Sequence, residues 1–287
     1  MITFREIELS DAQKCRDFFR SSGSISCDYT FGNLYAWREA FNYKIAFLQD
    51  FMFVRLGEKE NSYFMPLGNG DIAKAVELLK EYEQGDVHIY GASLEDVEKL
   101  RNANVEIKSS TLYRDASDYI YRAEDLINLS GKKYHSKRNF ISRFKSSYNW
   151  TYEALCLKNI PEAKVFCEHW FKKFSDESGE QEKNVALGAL DRFEEIGFDG
   201  GLLRVDGKVI AFTAGEPIND ESYCVHIEKA DTDYVGAYNV LNQQFLINTC
   251  SSYKLINREE DMGIEGLRKA KESYNPVFIF EKYNLIL

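Results

Sequence analysis

Read for hydrophobic period and turn chemistry, the chain writes one order of elements twice, and a duplicated order leaves few folds open. In the first half, residues 2–9 predict a strand, and Ser10 with Gln13 three residues on predicts a capped helix. A second helix follows near residues 30–40. Three short alternating or aromatic runs, YKIAFL, FMFVRL and SYFMPL, are separated by turn-length gaps and predict an antiparallel meander. DIAKAVELLKEY then reads as a helix, VHIYGA as a strand, SLEDVEKLRNA as a Ser-capped helix, and VEIK and DYIYR as two last strands. The second half repeats the order. TYEALCL is a strand, and PEAKVFCEHWFKKFS and EKNVALGALDRFEEI are helices. GGLLRV, KVIAFTAGE and SYCVHIEKA are strands, the first two joined by an Asp206-Gly207 turn. GAYNVLNQQFLINTC is a helix, YKLIN a strand, GIEGLRKAKESY a helix and PVFIFEKYN a closing strand. The order β-α-α-β-β-β-α-β-α-β thus occurs in both halves, with one further strand closing the first, which predicts domains over residues 1–128 and 151–287, linked by residues 129–150.

Composition narrows the function. With 44% hydrophobic residues and four prolines the chain can bury a sizeable core. Its 46 acidic against 36 basic residues, a formal net charge of −10, argue against broad adhesion to nucleic acid or anionic lipid, and no DNA partner is expected. No apolar run reaches the roughly 18 to 20 residues of a membrane span, and the N-terminus lacks a signal-peptide pattern, so a cytoplasmic protein is expected. The six cysteines and four histidines are scattered without CxxC or HExxH spacing, which predicts reduced thiols and no metal site.

Against that acidic background one segment stands out. SGKKYHSKRNFISRFKSSY, residues 130–148, lies in a 27-residue stretch from 126 to 152 with no Asp or Glu. Wound as one helix at roughly 100° per residue, it places Tyr134, Phe140, Ile141, Phe144 and Tyr148 on one arc of about 120°, with Lys133 and Lys137 inside the same arc. Inward ammonium groups need an anion. Lys133, Lys137 and Arg138 are therefore candidates for a phosphate or carboxylate ligand, weighed against an ordinary solvated helix start.

The duplicated order resembles a tandem pair of GNAT acyltransferase domains, as in the Fem-type aminoacyltransferases. This implies an α+β fold of two domains, each a mixed, mostly antiparallel sheet flanked by helices. YRAEDLINLSGKKYHSKRNFISRF and INREEDMGIEGLRKAKESYNP are further similar to stretches of the bacterial family named after the C-terminal domain of phosphatidylglycerol lysyltransferase. The resemblance implies transfer of an acyl or aminoacyl group, from acyl-CoA or aminoacyl-tRNA, to an amine or hydroxyl acceptor. Donor phosphates in GNAT proteins rest on amides where the fourth strand meets a helix. That junction holds Gly68 and Gly70 in the first half, in MPLGNGD, and Gly236 in the second, in DTDYVGAYNV. Met65 and Asp233 stand where the family pattern has Arg or Gln. Glu259 and Asp261, in the strand-to-helix loop after Asn257, are candidates to bind or deprotonate the acceptor, and the resemblance implies Tyr274 as a tyrosine acid. Glu216 and Glu228 are further base candidates on the central hairpin. Coenzyme A is narrowly favoured as the donor's handle on charge grounds and tRNA is the alternative. The rival class is a non-catalytic module that uses the basic segment to hold an anionic metabolite or a partner.

Overall fold

The computed structural model of the chain describes residues 2–57, 61–174 and 179–287. Two compact units form, and both are discontinuous in sequence. The first comprises Met1–Tyr119, Glu259–Arg268 and Ile279–Leu287; the second comprises Ile120–Arg258 and Lys269–Phe278. This division differs from the expected one at residues 128 and 151. The basic segment is an integral part of the second unit.

The first unit is built on a seven-stranded mixed sheet ordered Lys44–Leu48, Phe51–Arg55, Ser62–Phe64, His88–Ala92, Tyr283–Ile286 and Ser109–Leu112, with Leu67–Gly68 paired to the second of these. The nearly continuous apolar run FMFVRL, laid out at the strand period of two, explains how both faces become core. Phe51 and Phe53 point to one side, where they meet helix Ile72–Glu83 through Ile72, Ala75, Val76 and Leu79. Met52 and Val54 point to the other, where Cys15, Phe19, Phe31 and Leu34 pack. Helix Leu94–Asn102 starts as predicted, with Ser93 and Asp96 in a reciprocal capping box. The predicted cap at Ser10 does not form. Helix Ala12–Ser22 follows a turn in which Glu8 and Asp11 cap reciprocally, and Asp11 is fixed by two bonds from Arg5.

Three predicted strands change. Residues 2–9 make a single bridge, Arg5 to Ile45. VEIK is not a strand; its place is taken by Ser109–Leu112. PVFIFEKYN divides into Phe278–Phe280 and Tyr283–Ile286, and the latter pairs antiparallel with both His88–Ala92 and Ser109–Leu112. Paired on both sides, the C-terminal strand lies inside the sheet of the other half of the sequence, next to its edge strand Ser109–Leu112. DYIYR makes the reciprocal move: Asp118–Arg122 pairs antiparallel with Leu255–Asn257.

The second sheet runs Phe278–Phe280, Asp118–Arg122, Leu255–Asn257, Ser222–Ala230, Lys208–Pro217, Asp199–Val205 and Trp150–Ala154. Helices Ile160–Phe174 and Ala237–Thr249 cover it, with Phe166 edge-on to Phe212 and Phe245 edge-on to Tyr223. Ser175, the last residue of one predicted helix, lies outside the described residues. Ser222–Ala230 and Leu255–Asn257 are parallel neighbours, and their pairing ends at Cys224 and Asn257. Beyond that point the longer strand continues to Ala230 without a partner on this side among the described pairings, so side chains on its far half have room to meet something other than a strand.

Candidate functional site

The basic segment forms a short turn, Lys132–Tyr134, followed by helix His135–Ser147. Tyr134, Ile141 and Phe144 are buried as the helical arc predicts. Phe140, at the edge of that arc, is 44% exposed. The three proposed anion ligands separate. Lys133 pairs with Asp125 at 3.3 Å on the surface. Arg138 donates to the backbone carbonyls of Leu129 and Gly131, tying down the chain before the helix. Only Lys137, near the centre of the arc, turns inward: its Nζ donates to Ser273 Oγ at 2.5 Å and lies 3.9 Å from the centre of the Tyr274 ring. Burial, reinforced by the positive charge of Arg258, pushes its ammonium down to about 8.

Around Lys137 the second unit assembles a polar cluster. Arg258 follows the strand Leu255–Asn257 directly, and its guanidinium lies 4.9 Å from the Tyr274 ring centre and binds Glu228 Oε2. Both charged side chains are largely buried, at 14% and 12% exposure. Arg258 Nη1 and Glu228 Oε1 are buried without a hydrogen-bond partner among the described residues. Half-satisfied buried charges are costly, and a catalytic or ligand-binding role is one reason such a pair persists. Tyr274 is held by three contacts: its carbonyl accepts from Tyr134 Oη, its phenol oxygen accepts from Asn239 Nδ2 at 2.6 Å, and the cations cover its ring. Burial pushes its phenol up to about 12, so it keeps its proton.

The acidic loop behaves differently from the expectation. Asp261 is fully buried and accepts five hydrogen bonds: two from Arg268 at 2.8 Å, one from Tyr119 Oη at 2.6 Å, one from Arg114 at 3.2 Å and one from the Gly263 amide at 2.9 Å. The Arg268 bonds, working against burial, hold its carboxyl well below the usual carboxylate range. A carboxylate so fully occupied anchors the loop of the first unit. Glu259 adopts a left-handed backbone, φ 58°, and its carbonyl accepts from the Tyr119 amide at 3.0 Å. Glu260, between these two, is pushed up to about 7 by burial and by Glu259, against the pull of Lys282. Lys282 is itself buried between Asp28 at 2.7 Å and Asp118 at 2.9 Å, with Cys27 Sγ at 3.3 Å. Its ammonium thus contacts two of the three groups, Cys27 and Asp118, whose ligand atoms lie within 4.8 Å of one another and of a Glu260 oxygen.

The glycine loops are crowded. A Cβ at Gly68 would meet the Asp50 carbonyl at 2.0 Å, and one at Gly70 the Phe51 ring at 2.5 Å, so both glycines admit neighbouring chain. Gly236 begins helix Ala237–Thr249 in a left-handed conformation, φ 94°, against the carbonyl of Phe140. Asp233, beside it, is paired with Lys173 at 2.5 Å, and the same lysine serves Asp231 at 3.0 Å. Two carboxylates on one ammonium leave that loop net negative.

A family model described as "Phosphatidylglycerol lysyltransferase, C-terminal" matches residues 19–286. The chain belongs to this family. A solved structure of a conserved protein of unknown function from Bacteroides thetaiotaomicron is 39% identical over the full length of both chains, with a TM-score of 0.95. The structure of L-PGS from Bacillus licheniformis shares the fold at 15% identity, with 96% of this chain and 91% of that chain covered and a TM-score of 0.66. FemX does so at 9% identity, with 99% and 97% covered and a TM-score of 0.64. An uncharacterized protein of Mycoplasmoides gallisepticum is 26% identical over 178 residues, which is 60% of this chain and 56% of that protein's length. The tandem GNAT architecture expected from the element order is thus the fold of the molecule. Among the described residues, no helix is long and apolar enough to cross a membrane.

Proposed function

We propose that the chain is an aminoacyltransferase that moves an aminoacyl group from the terminal ester of a charged tRNA to an amine or hydroxyl acceptor. The observation that carries this reading is the buried Arg258–Glu228 pair, each member with one unpartnered polar atom, set beside Lys137 and the protonated phenol of Tyr274. Ester aminolysis needs little more than these groups. Glu228 Oε1 accepts the proton of the attacking acceptor, Arg258 Nη1 and the Lys137 ammonium offset charge developing on the carbonyl oxygen, and Tyr274 Oη protonates the departing ribose oxygen. The new C–N or C–O bond forms as the ester C–O bond breaks, and one proton is taken up and one released. Asn239 orients the phenol by donating to it, which leaves the tyrosine proton for the leaving group. Membership of the lysyltransferase family supports the donor class. So do the filled glycine loops and the net negative charge at Asp231 and Asp233, which disfavour a pyrophosphate handle and weigh against coenzyme A.

The test is transfer of labelled amino acid from a total charged tRNA pool to lipid, peptide and small-amine acceptors. Tyr274→Phe removes the proton donor, together with the acceptor of the Asn239 amide, and is expected to slow transfer by roughly 10²–10⁴-fold. Binding and thermal stabilisation by acetyl-CoA, with turnover of that donor and none of charged tRNA, would refute the aminoacyl reading.

A further inference from the structure

In the second unit, three side chains outside the Arg258 cluster form a connected line. Cys224 Sγ lies 3.5 Å from His226 Nδ1, and His226 Nε2 lies 3.3 Å from Glu216 Oε1. All three side chains are nearly closed to solvent, and the Phe198 ring stacks on the imidazole at 5.4 Å. The hairpin register creates the arrangement. Glu216 sits directly opposite Cys224, and the ladder slips between Ala214 and Gly215 so that Val225 and Ile227 are paired and His226 is the extra residue of a bulge. A bulge re-aims one side chain, and here it turns the imidazole toward both neighbours. Gly215 makes the close crossing feasible, since a Cβ there would meet the Cys224 carbonyl at 2.1 Å. With Nε2–H donated to Glu216, Nδ1 is left as the acceptor for the thiol proton, which is the order of nucleophile, base and orienting carboxylate. Cys224 is also the residue at which pairing with the strand Leu255–Asn257 stops, so separation of the two strands starts at this thiol.

We propose that Cys224 is a nucleophile that accepts an acyl group from an ester as a thioester, with His226 as its base and Glu216 orienting the ring. This rests on the transferase reading and replaces its single displacement with two, in which the His226 imidazolium, and not Tyr274, protonates the leaving oxygen. The Sγ proton passes to Nδ1, sulfur adds to the ester carbonyl, the ester C–O bond breaks, and the leaving alkoxide takes the proton back from the imidazolium. The acceptor amine then displaces sulfur, the amide forms, and the thiol is restored by the amine's proton.

The probe is p-nitrophenyl acetate on the full chain carrying Cys156→Ser, which removes a solvent-exposed thiol. The expected result is a nitrophenolate burst and one acetyl group mapped to Cys224, released by neutral hydroxylamine. His226→Gln should slow acylation by roughly 10²–10⁴-fold with the melting curve retained. An acetyl group mapped to other residues, none at Cys224, or an acylation rate indifferent to His226→Gln overturns the proposal. Peptide mapping needs no Cys224 variant, so a poorly folding substitution does not decide the outcome. Aminoacyl transfer that persists without any Cys224 adduct sinks the thioester and leaves the transferase reading intact. An adduct at Cys224 in a protein that moves no amino acid from charged tRNA supports the nucleophile and removes the aminoacyl reading.

Discussion

Replacing Asp261 with Asn separates a catalytic carboxylate from an anchoring one. Oδ2 receives Arg268 Nε, Tyr119 Oη and Arg114 Nη1, and Oδ1 receives Arg268 Nη2 and the Gly263 amide. An amide can keep the second set, but its NH₂ then faces three donors where Oδ2 stood. Charge-assisted bonds contribute about 1.5–3 kcal/mol each, and two such bonds plus one phenol bond are lost or reversed. Arg268 and Arg114 are about a third exposed, at 34% and 33%, so water recovers part of that. The net expectation is a loss of about 3 kcal/mol, roughly a hundredfold in the folding constant, and a fall of roughly 6–12 °C in melting temperature. The sign with pH follows from the depressed carboxyl: its stabilisation is complete above the unfolded carboxylate range and is lost as pH falls through the folded value. The difference between wild type and Asp261→Asn should therefore shrink in strong acid. Urea denaturation at neutral and acid pH reads both effects. A variant within about 1 kcal/mol of wild type that nonetheless abolishes transfer would show that Asp261 acts in the chemistry and that the anchoring argument is wrong.

Two further outcomes follow from buried ionisable groups. Glu260 binds an extra proton in the folded state between its ordinary 4.5 and about 7, so its contribution is present at low pH and lost as pH rises through 7; Glu260→Gln should flatten that decline in urea midpoints measured at about pH 5 and pH 8. Lys137 is depressed from 10.5 to about 8, so the unfolded chain holds the additional proton in that window and wild-type stability should rise with pH across it. Lys137→Met should lose that alkaline gain, and an unchanged slope would mean that Lys137 is solvated.

What could be read from the one-dimensional chain was whatever depends on neighbours in sequence. The apolar run FMFVRL, the Ser93 cap and the arc holding Tyr134, Ile141 and Phe144 are local consequences of the strand and helix periods, and they gave the tandem order. The inward turn of Lys137 follows from the same helical arc, whereas Tyr274 enters only through the family resemblance. Arg258 passed unmarked inside a quoted motif, because its importance comes from Glu228, 30 residues away on another strand. The anchoring of Asp261 has no local signal, because Arg114 and Tyr119 reach it from more than 140 residues away. Strand exchange is of the same kind: Asp118–Arg122 and Tyr283–Ile286 carry good strand patterns, yet nothing in either pattern says which sheet supplies the partner. The Cys224–His226–Glu216 line needs a hairpin register and a bulge, and a one-residue slip would turn its side chains to opposite faces. Sequence thus determined most of the helices and strands, since those follow from local sterics and period. The tertiary structure alone decided which charges are paired, which are left half-satisfied, and hence where chemistry can occur, because a group's protonation and reactivity are set by the burial and partners that folding brings to it.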